Sequence, residues 1–175
     1  DAVFTFMPGG MGVNLVKQWD QAGLKDKVAF LSAFTVDELS LPATQDAAVG
    51  LKSGQQWGRN FDNALTKTFV ADYESAYGAP PPLYAAQAYD VAVVIDAAVK
   101  KAGGDFKDTD KLIEAIAAGG VDTLRGPLTF GKNHFPVQDY YLAEATKTDD
   151  GKYVMVTTEK VLEGYVDSYA DQCKM

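Results

Sequence analysis

Ala2, Val3, Phe4, Thr5 and Phe6 form an apolar run without helix caps, the pattern of a strand buried on both faces in a parallel sheet. Met7, Pro8, Gly9 and Gly10 then make a turn. Residues 11–22 set Val13, Val16 and Trp19, with Leu15 and Ala22, along one helical stripe. Gly23 stands at the C′ position that ends such a helix, and residues 28–31 read as a second strand. Strand, glycine-rich loop, helix and strand make one βαβ unit. In open α/β sheets ligands sit outside the carboxyl ends of the strands, where loops and helix N-termini meet.

Residues 33–41 form a loop carrying Phe34, Thr35 and Asp37, and residues 42–48 are irregular or briefly helical. A third strand is expected over 49–57. After a turn at Gly58, Arg59 and Asn60, either Asp62 or Asn63 can cap a helix whose Leu65, Phe69, Tyr73 and Tyr77 share a face. Gly78 ends it, and Pro80, Pro81 and Pro82 forbid continuation. This stiff proline run is the clearest boundary in the chain. Beyond it, residues 83–102 make a helix apolar nearly all round, which must pack inside something. Thr109 is the expected cap of a shorter helix burying Leu112, Ile113 and Ile116. Residues 125–130 are extended. Residues 140–146 and 153–158 are β-rich and flank the hairpin turn signal Asp150, Gly151, and residues 159–175 read as a polar-aromatic tail.

The chain opens inside a buried-type strand, and only two strands of the first sheet precede the helices. A portion of the protein is therefore expected before Asp1. The strand at 2–6 and the helix at 83–102 should each lack neighbours on one side, covered by that portion or by a second chain.

With 175 residues, 47% of them hydrophobic, the chain can build one domain or two small lobes. A net charge of −8 argues against a nucleic-acid or anionic-membrane surface. No apolar run approaches the ~20 residues of a membrane helix. The single cysteine, Cys173, makes no internal disulfide. The single histidine, His134, cannot build a histidine-rich metal site; a loop or surface role is expected for it, a general base being the alternative. Gly10, Met11 and Gly12 invite a dinucleotide fingerprint. Leu15 stands where its third glycine belongs, and Ser32 and Ala33 stand where its acid belongs. Gly9 and Gly10 either make a tight turn only or aim backbone N–H groups at a ligand. No catalytic constellation and no cofactor motif emerges. Phe6, Phe34 and Tyr84 each fall at a strand end or boundary, as the apolar walls of a small-ligand cleft would.

The ordered series DAVFTFMPGG, VKQWDQAGL, DAAVG, KTFVADYESAYG, YAAQAYDVAVVIDAAVKKAG, RGPLTF and NHFPVQDYYL resembles periplasmic solute-binding proteins of branched-chain amino acid (leucine/isoleucine/valine-type) ABC transporters. The resemblance covers essentially the whole chain, and family members are about twice this length. It implies an α/β, type I periplasmic-binding-protein-like fold: open, mostly parallel sheets flanked by helices in two lobes, here incomplete. Residues 1–82 would lie in the C-terminal lobe, 83–137 in the N-terminal lobe, and 138–175 in the C-terminal lobe again. By position, Met7, Pro8, Gly9 and Gly10 correspond to the first ligand loop, Ala33, Phe34 and Thr35 to the second, and Tyr84 to the aromatic of the other lobe. Amino-acid binders of the family present an acid in the second loop to pair with the ligand ammonium. Here Phe34 occupies that place and Asp37 is the nearest acid. The resemblance thus implies a non-enzymatic, periplasmic protein with no cofactor. It would bind a small apolar or aromatic carboxylate, or a branched-chain amino acid, and would work with a membrane permease. The alternatives are a doubly wound α/β enzyme using the same cleft, or the ligand-sensing module of a receptor.

Overall fold

β1 (Ala2–Thr5), α1 (Gly10–Gln21) and β2 (Ala29–Ser32) form the expected βαβ unit. β2 runs on to pair in parallel with β3 (Lys52–Gln55). The register sets Thr5 beside Ser32 and Ser32 beside Ser53. The computed structural model describes residues 1–174, grouped as Asp1–Leu83 with Tyr140–Val161, and Tyr84–Asp139 with Leu162–Met175; Met175 itself lies outside the described residues.

In the first unit, β6 (Pro136–Lys147) returns antiparallel to β3, with Tyr141 opposite Gln55 and Ala143 opposite Ser53. β7 (Tyr153–Tyr165) pairs with β6 across the turn at Gly151, whose φ of 83° needs glycine. Residues opposite each other in a ladder share a face. The core accordingly gathers Phe30, Leu51, Ala143 and Ala145 under Val16 and Trp19 of α1, with Trp19 edge-on to Phe30 at 5.3 Å. α2 (Leu41–Thr44) and a 3-10 turn (Gln45–Ala47) occupy the stretch read as briefly helical. β3 is shorter than the strand expected over 49–57. Gly50 adopts φ 86° before it, and after it Trp57 turns inward to donate its indole N–H to Thr66 at 3.1 Å. α3 (Ala64–Tyr77) is capped by Asn63, whose side chain accepts from the Thr66 N–H, and Gly78 closes it in the left-handed conformation.

In the second unit, α4 (Leu83–Lys101) buries Leu83, Ala86, Asp90, Val94 and Ala98, one stripe at helical spacing. The opposite stripe of Tyr84, Val91 and Ile95 is exposed, and so are Val3 and Phe4 of β1. Asp90 is 1% exposed. One carboxylate oxygen accepts from the Leu124 N–H and the other from Arg125 Nε, both at 2.8 Å. Arg125 Nη1 donates in turn to Gln138 at 2.6 Å. These bonds join α4 to the turn between β4 (Val121–Thr123) and β5 (Gly126–Phe130), and on to β6.

Three expectations change here. The cap of α5 (Thr109–Ala117) is Asp108 rather than Thr109: its carboxylate reaches the Lys111 N–H at 3.0 Å, satisfying an orphan helix donor. Leu112, Ile113 and Ile116 are not buried; Ile113 is exposed and the other two are half-buried. Residues 159–165 continue β7 as strand rather than tail, and the stretch from Leu162 groups with the second unit.

Candidate ligand-binding site

The three parallel strands place their carboxyl ends, Thr5, Ser32 and Gln55, at one end of the sheet. The loops that follow carry Met7, Pro8, Gly9 and Gly10, then Ala33, Phe34 and Thr35. Thr35, 1% exposed, ties these two loops together. Its hydroxyl accepts from the Met7 N–H at 2.8 Å and has the Ala33 and Thr5 carbonyls at 3.2 and 3.4 Å as acceptors for its own proton. The Ala33 N–H reaches the Thr5 carbonyl at 3.1 Å. Thr35 is thus a buried bolt of the site, while Met7, Pro8, Gly9 and Gly10 are exposed and Ala33 and Phe34 half-buried.

Phe34 holds φ 54°, a costly conformation for a bulky residue that surrounding structure must impose. Its ring meets Phe6 edge to face at 5.8 Å, and Phe6 is 62% exposed. Two aromatic rings therefore stand at the strand ends with apolar surface uncovered.

α1 begins beside them. Gly9 is its N-cap at φ 77°, with no side chain capping the first turn and no acid within it. The first free N–H groups of a helix carry partial positive charge and attract anions. Sequence pattern pointed to Gly9 and Gly10, but the glycine enforced by packing is Gly12, where a Cβ would collide with the Met7 carbonyl oxygen and press on Thr35. Its signal was present in the Gly10, Met11, Gly12 spacing.

The loop acids are committed elsewhere. Asp37 accepts from the N–H groups of Leu39 and Ser40 at 3.1 and 2.9 Å, closing its own turn. Burial pushes the Glu38 carboxyl up to about 7, and neighbouring Asp37 pushes the same way. Its own N–H, the Met155 N–H and Arg59 offset only part of this. One Asp37 carboxylate oxygen is thus spent on its own turn, and burial disfavours charge on Glu38.

Two further residues at this end were not singled out in the sequence. Gln55, 6% exposed, lies on the face that α1 covers, two residues past Ser53. Tyr141 lies opposite it, its ring 4.7 Å from that of Phe61 and 5.9 Å from Lys160 Nζ. Tyr84 is the first residue of the second unit and is 38% exposed. His134 lines an apolar hollow of about 220 Å³ in that unit with Ile113, Ile116, Ala117 and Phe130, at φ 60°. Among the described residues no cluster of His, Cys, Asp or Glu is arranged to hold a metal, and no helix is long and apolar enough to cross a membrane.

Residues 1–152 match the family described as periplasmic binding protein. No curated protein matches the chain. Among solved structures it is similar to a solute-binding protein of an ABC transporter from R. palustris in complex with benzoate. The two are 31% identical over all of this chain and 46% of that one, with a TM-score of 0.87. A solute-binding protein from Rhodopseudomonas palustris BisB5 in complex with 3,4-dihydroxybenzoic acid is 29% identical over 96% of this chain and 46% of that one, at a TM-score of 0.81. The leucine-, isoleucine-, valine-, threonine- and alanine-binding protein of Brucella ovis shares the fold at 20% identity, with a TM-score of 0.78 over 94% of this chain and 43% of that one. The chain therefore spans less than half the length of these structures. Strand-end loops, a βαβ opening and the match over residues 1–152 agree: the chain belongs to the periplasmic binding protein family.

Proposed function

We propose that the chain is part of the extracytoplasmic solute-binding component of an ABC transporter, and that its ligand is a small aromatic carboxylate delivered to a membrane permease. The observation that carries the ligand class is the pairing of the exposed Phe6 ring with the half-buried Phe34 ring beside the uncapped start of α1. A flat ring gains roughly 25 cal/mol per Å² buried against such walls, and its carboxylate meets the N–H groups at Gly9 and Gly10. An ammonium there would find only a cation–π attraction of about 0.5–2 kcal/mol, less than the cost of stripping its water, because Asp37 is tied into its own turn. The aromatic acids bound by the structural relatives support the same reading.

Residues 1–82 and 138–175 would belong to one lobe of such a protein and residues 83–137 to part of the other. The remainder of both lobes would come from a preceding portion of the protein, which would also cover the exposed stripes of β1 and α4. Binding and release, rather than a chemical step, would be the activity. Calorimetry on the full-length protein tests this: benzoate-type acids should bind more tightly than leucine, isoleucine or valine. Tight leucine binding with no response to aromatic acids would overturn the reading. Phe34→Ala should weaken the aromatic ligand markedly, and Phe34→Glu should shift preference toward amino acids.

A further inference from the structure

Gln55 is 6% exposed, yet its side-chain amide has no hydrogen-bond partner among the described residues. Nor are its amide atoms sealed away: among the described residues, the fully buried side-chain polar atoms without partners are Trp19 Nε1 and Arg59 Nε. The buried amide therefore opens onto accessible space. A primary amide in such a place is unmatched by the fold and retains two donors and an acceptor for something that enters.

Its position says what enters. Gln55 ends β3 at the carboxyl end of the sheet, on the face α1 covers, with Tyr141 opposite it. β3 lies two strands from β1, roughly 10 Å away at the usual strand spacing, and β1 leads through Met7, Pro8 and Gly9 into α1. Phe34, at the end of the intervening β2, lies between them along the sheet. An anion favours the α1 end of this row, where N–H groups carry partial positive charge. At the other end a neutral amide favours a neutral group able both to donate and to accept.

We infer that Gln55 is a specificity-determining residue of the ligand site, its side-chain amide hydrogen-bonding a ring hydroxyl of an aromatic acid whose carboxylate lies at the start of α1. This rests on the aromatic-carboxylate reading above. A hydroxybenzoate carrying a hydrogen bond at each end is of the order of the separation between the two anchors. Unsubstituted benzoate leaves the amide unmet.

The test is titration calorimetry of the full-length protein with benzoate, 4-hydroxybenzoate and 4-methylbenzoate, repeated on Gln55→Leu and Gln55→Met. In the parent protein the hydroxy acid should bind roughly tenfold tighter than benzoate, the yield of one good hydrogen bond, and the methyl acid should not share that gain. Both variants should erase the preference while keeping benzoate affinity, which also shows that they fold. Two variants of different shape are used so that the assignment of the preference to Gln55 does not depend on either one folding. A parent without preference for the hydroxyl, or a preference that survives both substitutions, overturns the inference and leaves the aromatic reading standing. Equal weakening of all three acids by Gln55→Leu also overturns it, by placing the amide at the carboxylate. A parent that binds none of the three acids overturns both.

Discussion

Asp90 and Gln55 are polar side chains buried to more than nine-tenths, one in each unit, and the fold treats them oppositely. Asp90 has both oxygens matched, to Leu124 and Arg125, and Arg125 extends the chain of bonds to Gln138. Among the described residues, none is a hydrogen-bond partner of the Gln55 amide. A buried polar group whose partners are all protein holds structure together. One left open at the carboxyl end of a parallel strand is placed for a ligand. If the contrast is sound, removing Asp90 should damage the fold and removing Gln55 should not.

The largest expected effect is therefore Asp90→Ala. It leaves the Arg125 guanidinium, whose side chain is 12% exposed, without its carboxylate, and breaking one partner of a buried pair costs about 3–5 kcal/mol. Both tryptophans, Trp19 and Trp57, lie in the first unit. Urea titration of Asp90→Ala should show far-ultraviolet circular dichroism falling at lower denaturant than tryptophan fluorescence. Coincident, unshifted transitions would mean that the Asp90 network carries little of the second unit's stability.

Next comes Glu38, a half-buried acid of the first unit whose hydrogen bonds offset only part of its desolvation. Its folded value of about 7 stands above its ordinary 4.5, so the folded state holds the proton more tightly than the unfolded chain. Folding weakens as pH rises from about 4.5 to about 7, and the full penalty applies above that. At ~1.4 kcal/mol per pH unit between the two values this is about 3 kcal/mol at most. Glu38→Gln should raise the melting temperature at pH 8 and change it little at pH 4. Equal gains at both would show that packing, not ionisation, is responsible.

A smaller effect is expected at Gly12. A Cβ there would fall so close to the Met7 carbonyl oxygen and to Thr35 that an added methyl group must push the loop aside, and overpacking of this kind costs about 1–3 kcal/mol. Because Thr35 joins Met7 to the β2 loop, Gly12→Ala should lower aromatic-acid affinity more than it lowers stability. Gly10→Ala, with open space around it, is the control and should alter stability little.

The same residues explain what the sequence made legible. The β1–α1–β2 opening followed from an apolar run, a stripe at helical spacing and Gly23, all local signals. The caps at Asn63 and Gly78, the limits of α4 and the turn at Gly151 were likewise written in short range. The Thr109 cap failed because Asp108 beside it offers a stronger acceptor to the same helix start. The expected burial of Ile113 failed because periodicity reports which face is apolar, not whether anything covers it. Among the candidate site residues, Phe34 was singled out by position, but Thr35 as a bolt and Gln55 as an open amide depend on register between strands far apart in sequence. So does Gly12, whose need for hydrogen at Cα is set by where the preceding loop returns. Polar residues within a strand carry no mark that distinguishes a satisfied partner from a waiting one.

The smallest expected effect sharpens the opening contrast most. Gln55→Leu removes an amide that makes no protein hydrogen bond and replaces it with an apolar side chain of similar size, on the face that holds Phe30, Leu51, Ala143 and Ala145. Truncating a matched buried group exposes its partner's unmet demand, whereas replacing an unmatched one relieves a demand already unmet. The change in unfolding free energy should therefore stay within about 1 kcal/mol and favour the folded state. Chemical denaturation without ligand measures it directly. A loss of several kcal/mol, comparable with that of Asp90→Ala, would make Gln55 a structural residue like Asp90 and remove the physical ground for assigning it to a ligand. An unchanged or slightly raised stability, together with a lost preference for the ring hydroxyl, separates the two roles: Asp90 holds its unit together, and Gln55 is held ready by its own.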